Sequence, residues 1–155
     1  MIFSKTKTSN TMDLNAPIST IMSTELKTIA PDSPATEIDT LFKENRIHHI
    51  PVLDEKRKVV GIVGKSDFLY LLRGYTSHET DRFRETAKLR AFKAMEIMQE
   101  EVETLRESDP IKEAVRLLSE NRYQALPVLD GKDSICGIVT THDILDLVNK
   151  AGQES

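Results

Sequence analysis

The chain has one cysteine, Cys136, in 155 residues. It therefore has no internal disulfide, and a lone thiol suits a reducing compartment. No apolar run reaches the length that crosses a bilayer. The first residues, Met1-Ile2-Phe3-Ser4-Lys5, never open into the apolar core of a secretory leader. The cytoplasm is the expected location, with no membrane association. Positive charge is also scarce, with 21 Lys and Arg against 25 Asp and Glu and a formal net charge of −4. A broad nucleic-acid-binding face would be basic, so nucleic acid is not an expected partner, although a locally basic cleft stays open. No Gly-x-x-x-x-Gly-Lys loop, nucleophile elbow or His-Glu-x-x-His is present, and no enzyme class is indicated. His48 and His49 are neighbours on an extended run and point to opposite faces, while His78 and His142 lack a ligand spacing to them. No metal site is expected.

What is present is a duplication. A shift of 76 positions lays Ile21–Leu69 on Ile97–Leu145 without a gap, and 20 of the 49 aligned positions are identical. The shared blocks are Glu44-Asn45-Arg46 with Glu120-Asn121-Arg122, Pro51–Asp54 with Pro127–Asp130, and Gly61-Ile62-Val63 with Gly137-Ile138-Val139. Each copy places an aspartate, Asp67 or Asp143, six residues beyond that glycine. Two copies are fewer than a solenoid needs, so the repeats should pack on each other as one pseudo-symmetric unit. Charged residues at 30% and hydrophobic ones at 39% fit a single compact domain.

The pattern within each copy is strand–helix–strand–strand–helix, an α+β unit. A brief opening strand is expected around Lys27-Thr28-Ile29 and Glu103-Thr104-Leu105. Ser33-Pro34 and Asp109-Pro110 read as helix starts, with Ser or Asp as the cap and Pro at the first helical position. Two β-branched runs follow, Ile50–Leu53 and Val59–Val63, repeated in the second copy. Closing amphipathic helices start near Ser66 and His142. Between the copies, Ser77–Lys93 reads as an exposed charged helix with Phe83, Ala87 and Ala91 spaced by four. The expected division is a flexible arm at 1–16, repeats at 17–72 and 94–148, a charged helical linker at 73–93 and a tail at 149–155. Met22, Met95 and Met98 are expected as core filler and Cys136 as a small buried residue. Arg46 and Arg122 are expected to complement helix dipoles, with phosphate contact as the minority alternative.

The runs Arg46–Asp54 with Gly61–Asp67, and Tyr123–Asp130 with Gly137–Asp143, resemble the cystathionine β-synthase (CBS) domain. The resemblance covers residues 17–148 and is doubled at one spacing, as in a tandem CBS pair, or Bateman module. Such pairs bind adenosine-containing ligands, so the resemblance implies a non-catalytic sensor for AMP, ADP, ATP or a related adenosyl compound, with no separate cofactor. It also implies a homodimer packed through helices, and the apolar helix faces are consistent with that. A separate enzyme or transporter is the implied target.

Thr140 and Asp143 stand three apart, the spacing of a helix cap and its third residue, and capping alone accounts for them. The same geometry also suits a ligand. Free N–H groups and the helix dipole attract phosphate, Thr140 donates to it, and Asp143 accepts from ribose hydroxyls. Carried across from the family, one site joins Thr140, His142 and Asp143 to Ser33, Ile47 and His48. The other joins Ser66, Asp67 and Lys65 to Asp109, Tyr123 and Gln124. The second site is expected to be weaker, because Gly64 replaces Thr140 and Asp109 brings a like charge towards phosphate. Tyr123 partly compensates by stacking on a base. The competing reading is a ligand-free oligomerisation scaffold in which these motifs only cap helices.

Overall fold

The computed structural model describes residues 12–74 and 82–153. The elements in chain order are α1 (Ala35–Glu44), β1 (His49–Leu53), β2 (Val59–Gly64), α2 (Lys65–Arg73), α3 (Arg82–Ala91), α4 (Ala94–Ile97), β3 (Leu105–Arg106), α5 (Ile111–Ser119), β4 (Ala125–Leu129), β5 (Ile135–Thr140) and α6 (Thr141–Gln153). Strands β1 and β2 pair antiparallel, as do β4 and β5, with a register irregularity at the matching places Val52/Leu53 and Val128/Leu129. The α+β repeat organisation is therefore as the sequence indicates. The opening strand differs between copies. In the second it is β3, parallel to β4; in the first it shrinks to a single bridge between Ile29 and Val52.

The helix starts correct the expected capping. Pro34 and Pro110 are themselves the caps, with extended ψ of 153° and 149°, and neither helix has a side-chain cap. The Ser33 hydroxyl instead accepts from the Ala30 N–H at 3.0 Å, and the Asp109 carboxylate from the Arg106 N–H at 2.8 Å. The first helical N–H groups find main-chain acceptors in the other half of the molecule. Ala35 donates to the Phe92 carbonyl and Ile111 to the Ala16 carbonyl, both at 2.9 Å. An acceptor already supplied by the backbone leaves no orphan donor for a side chain to serve.

That exchange runs through both lead-in segments. A short 3-10 turn at Ile18–Thr20 heads the first and α4 heads the second. Ile18 is buried in the core of the second repeat and Ala94 in that of the first. Ser23 pairs with Ile138 and Gln99 with Ile62, so each lead-in crosses to the β-hairpin of the other copy. Glycine is required at these crossings. A Cβ on Gly137 would lie 2.5 Å from the Met22 Sδ, and one on Gly61 the same distance from the Met98 Sδ. Met22 and Met98 thus fill core as expected, whereas Met95 is exposed. A third cluster of Ile62, Ala125 and Ile138, with Leu26 and Val102 against it, forms the seam between repeats.

The expected boundaries shift at several points. Ordered contacts begin before Pro17, since Lys112 donates to the Leu14 carbonyl at 2.9 Å; residues 1–11 of the expected arm lie outside the described residues. The linker helix is α3 and packs on α1 and α2, while residues 77–81 lie outside the described residues. It packs through the partly buried Leu89 and the following Phe92, while Phe83, Ala87 and Ala91 are exposed. Residues 149–153 continue α6 instead of forming a tail. Among the described residues, no helix is long and apolar enough to cross a membrane.

Candidate functional site

Two concavities open on either side of the seam at matching places. The larger, about 690 Å³, lies at the start of α6, and the smaller, about 350 Å³, at the start of α2. Each helix follows directly on the last strand of its hairpin, so the strand end and the first helical turn aim side chains into one space.

In the α6 cleft, Thr140, His142 and Asp143 meet Ile47 and His48 from the first repeat. Ser33 does not join them: it is only 8% exposed and its hydroxyl is held at Ala30. The Asp143 carboxylate accepts from the Thr140 N–H at 2.8 Å and from the Thr140 hydroxyl at 3.3 Å. Asp143 therefore does reach back to the cap position, as a third helical acid does in a capping box. Both bonds go to one oxygen, Oδ2, so the same carboxylate keeps a second oxygen that these contacts do not use.

The α2 cleft brings Lys65, Ser66 and Asp67 together with Tyr123 and Gln124. Asp109 does not line it but an adjoining groove of about 480 Å³ with Glu113 and Arg116, which meets the α2 cleft at Arg122 and Tyr123. The like-charge argument made for Asp109 therefore fails on position. The acid that does line the α2 cleft is Glu101, and its counterpart Glu25 lines the α6 cleft, so opposing carboxylates do not separate the two. Thr140 against Gly64 still does. The Arg122 guanidinium stands 5.6 Å from the centre of the Tyr123 ring, a cation–π distance.

His48, His49, Asn121, Tyr123 and Gln124 line both clefts and form the wall between them. The imidazole of His49 is held below the ordinary histidine value, first by burial and then by the neighbouring His48; a side-chain hydrogen bond with Gln124 and the charge of Asp67 pull the other way. Among the described residues, no group of His, Cys, Asp and Glu is arranged to hold a metal ion. Cys136 is half-buried, and desolvation followed by the charge of Glu107 raises its pKa, so it is a poor thiolate.

Several cleft residues escape a reading of the motifs alone. Glu25 and Lys27 enter the α6 cleft, and Gln99 and Glu101 the α2 cleft, because the lead-ins cross over. The signal was the bare Gly61 and Gly137, each needing a bulky partner from outside its own repeat. Arg46 and Arg122 line the clefts too. The basic residues in the last turns of α1 and α5 are Lys43 and Arg116, which take the helix-dipole role expected of those two arginines.

Known proteins match this arrangement. The chain is 34% identical over 133 residues to a CBS domain-containing protein of Dictyostelium discoideum, covering 84% of this chain and 89% of that one. It spans 35%, 22% and 48% of three other curated relatives, which are longer. Among solved structures, the CBS-pair protein CBSX2 from Arabidopsis thaliana superposes with a TM-score of 0.76 at 21% identity, over 91% of this chain and 99% of that one. CBSX2 in complex with AMP gives 0.70 at the same identity, over 87% and 97%. The CBS domain pair of protein MJ0100, in complex with 5′-methylthioadenosine and S-adenosyl-L-methionine, gives 0.70 at 25% identity, over 87% and 97%. The CBS domain matches twice, over residues 18–74 and 94–150, and the chain belongs to the CBS domain family as a tandem pair.

Proposed function

We propose that the chain is a non-catalytic regulatory module that binds an adenosyl ligand between its repeats and signals the occupancy through a change of shape. The observation that carries this is the α6 cleft. A carboxylate held at the helix start, Asp143, faces an opposite wall made by the other repeat, so a ligand seated there bridges both halves. Asp143 suits two vicinal ribose hydroxyls, and first-turn N–H groups suit an anion. The MJ0100 and CBSX2 complexes support the ligand class. Titration calorimetry with AMP, ATP, 5′-methylthioadenosine and S-adenosylmethionine tests it. Saturable binding that Asp143→Ala weakens is the expected outcome, and silence from all four would leave the scaffold reading in possession.

Self-association has its own support. Leu145 is 61% exposed and Val148 47% exposed on α6, so an apolar helix stripe faces outwards. A second copy covering it gives a homodimer. Light scattering at micromolar concentration should return about twice the chain mass of 17.5 kDa. A separate enzyme or transporter as recipient of the signal, and a cytoplasmic setting for a chain with a lone thiol, complete the reading.

A further inference from the structure

The helices of the first repeat are covered where those of the second are bare. Helix α3 packs along α1 and α2. The Lys88 Nζ donates to the Leu71 carbonyl at 2.7 Å, and Arg73 pairs with Glu85 at 3.6 Å. Leu89 and Phe92 press on the core that holds Phe42, Phe68 and Leu72. The 76-residue offset carries those three to Leu118, Ile144 and Val148, each more exposed than its counterpart. Leu72 is 7% exposed and Val148 47%. The partly buried Leu69 likewise becomes the exposed Leu145. We infer that the homodimer forms through the second repeats alone, α6 of one copy lying antiparallel on α6 of the other, while α3 keeps the first repeats out of the contact. The inference rests on the self-association reading and adds which face meets which.

The bare face selects a second copy for three reasons. In the register of the duplication, Leu89 and Phe92 match Asp13 and Ala16, so the segment ahead of the first repeat lacks the apolar anchors that seat α3. The exposed residues Thr141, Leu145, Val148 and Gly152 share one side of α6, and none of them is charged. Their spacing also reads the same from either end of the helix. A twofold axis midway between Leu145 and Val148 therefore sets Leu145 of each copy on Val148 of the other. It brings Thr141 to Gly152 at the ends, where small side chains let the helices close up. Asp146 and Lys150 pair at 2.9 Å within their own helix, so no net charge opposes the approach. Helix α3 offers no such face. Phe83 is 83% exposed, but Arg82, Arg84 and Arg90 are exposed on the same short helix, and two copies would set like charges together. A self-matching face closes the assembly at two copies. The helix that begins at the α6 cleft then also meets the second copy, whereas the helix that begins at the α2 cleft meets α3.

The test is light scattering on the whole chain, on Leu145→Glu/Val148→Glu and on Phe83→Glu, at one micromolar concentration. Wild type and Phe83→Glu should both return about twice 17.5 kDa, and the double variant the mass of one chain. Thermal melts show whether the double variant still folds, as its exposed positions lead us to expect. Cross-linking decides the matter without it. In a Cys136→Ser background, a short bismaleimide should join two copies of Val148→Cys and leave Phe83→Cys single. A dimer that survives the double glutamate change, or that Phe83→Glu dissociates, would overturn the inference and keep the self-association reading. Cross-linking of Phe83→Cys in place of Val148→Cys would do the same. A wild-type chain that scatters as a monomer would remove both.

Discussion

The α6 and α2 clefts occupy matching places around the seam, and what separates them is concentrated at the helix starts. Thr140, Thr141 and His142 on one side stand where Gly64, Lys65 and Ser66 stand on the other, and Ile47 is the counterpart of Tyr123. The acids are shared: Asp143 matches Asp67, and Glu25 matches Glu101. The duplicated scaffold therefore repeats its helix-start carboxylate and varies the residues beside it. The volumes follow, about 690 Å³ against about 350 Å³. Two copies of one fold can present two affinities without any change in topology.

The cores beneath the clefts differ as well, and that comparison breaks with the largest effect. Phe68 on α2 is fully buried and packs on Phe42 with ring centres 5.7 Å apart, whereas its counterpart Ile144 is half-buried. Phe68→Ala should cost about 3–5 kcal/mol, and Ile144→Ala clearly less. Denaturant melts of the two variants measure this, and equal losses would mean that the repeats share one stability after all.

Next in size is the contrast between the aspartates. Asp143→Ala should cost about 1.5–3 kcal/mol in AMP binding, the range for a hydrogen bond to a charged group, and Asp67→Ala less. The ranking rests on Thr140 and the larger volume, since Asp109 plays no part in it. Calorimetry on variants that still melt cooperatively keeps lost capping apart from lost binding, and reversal of the order would sink the ranking.

Comparable in stability terms are the crossings. Gly137→Ala places a methyl group against Met22 and should destabilise by about 1–3 kcal/mol. Combining it with Met22→Ala should cost less than the two single changes together, because they share one contact. Strict additivity in a double-mutant cycle would show that the crossing is not packed as described.

A smaller effect would sharpen the comparison. Gly64→Thr rebuilds the missing hydroxyl in the α2 cleft, where a Cβ would sit at ordinary contact distance, 3.4 Å from the Asp67 Oδ2 and 3.8 Å from the His49 Cδ2. A gain of about 0.5–1.5 kcal/mol, seen as a second set of AMP sites in the isotherm, is expected. The smallest effect belongs to His49. In the unfolded chain its ring protonates as pH falls through about 6.5, while burial and then His48 hold the folded value lower. Its contribution is therefore complete above about pH 6.5 and is lost as pH falls towards the folded value. Melting temperature should drop between about pH 7 and 5, and His49→Gln should flatten part of that drop.

How much of this was legible in the chain divides along a physical line. The hairpins, the closing helices and the Gly-x-x-Thr-x-x-Asp corner are local patterns, and they lie where periodicity and turn residues put them. Ile47, His48, Tyr123 and Gln124 reach the clefts as the family resemblance implies. Ser33 and Asp109 do not, because each side chain closes a tight turn over the preceding residues, at Ala30 and Arg106. No single repeat carries the information that its lead-in packs on the other copy, so Glu25, Lys27 and Glu101 were invisible to motif reading. The side-chain caps expected at Ser33 and Asp109 are missing for the same reason: the acceptors are Phe92 and Ala16, far away in sequence.

The exchanged lead-ins bear on how such a molecule could be divided. A cut between the copies would leave the first half with an empty socket where Ala94 and Met98 sit, and the second with a vacancy where Ile18 and Met22 sit. Neither fragment closes its own core, yet each carries the plug the other lacks. Made as separate polypeptides, the halves should remain unfolded apart and complement each other when mixed. A lone repeat would meet the same need by clasping its twin, so the covalent link between the copies makes permanent a handshake that two shorter chains could form.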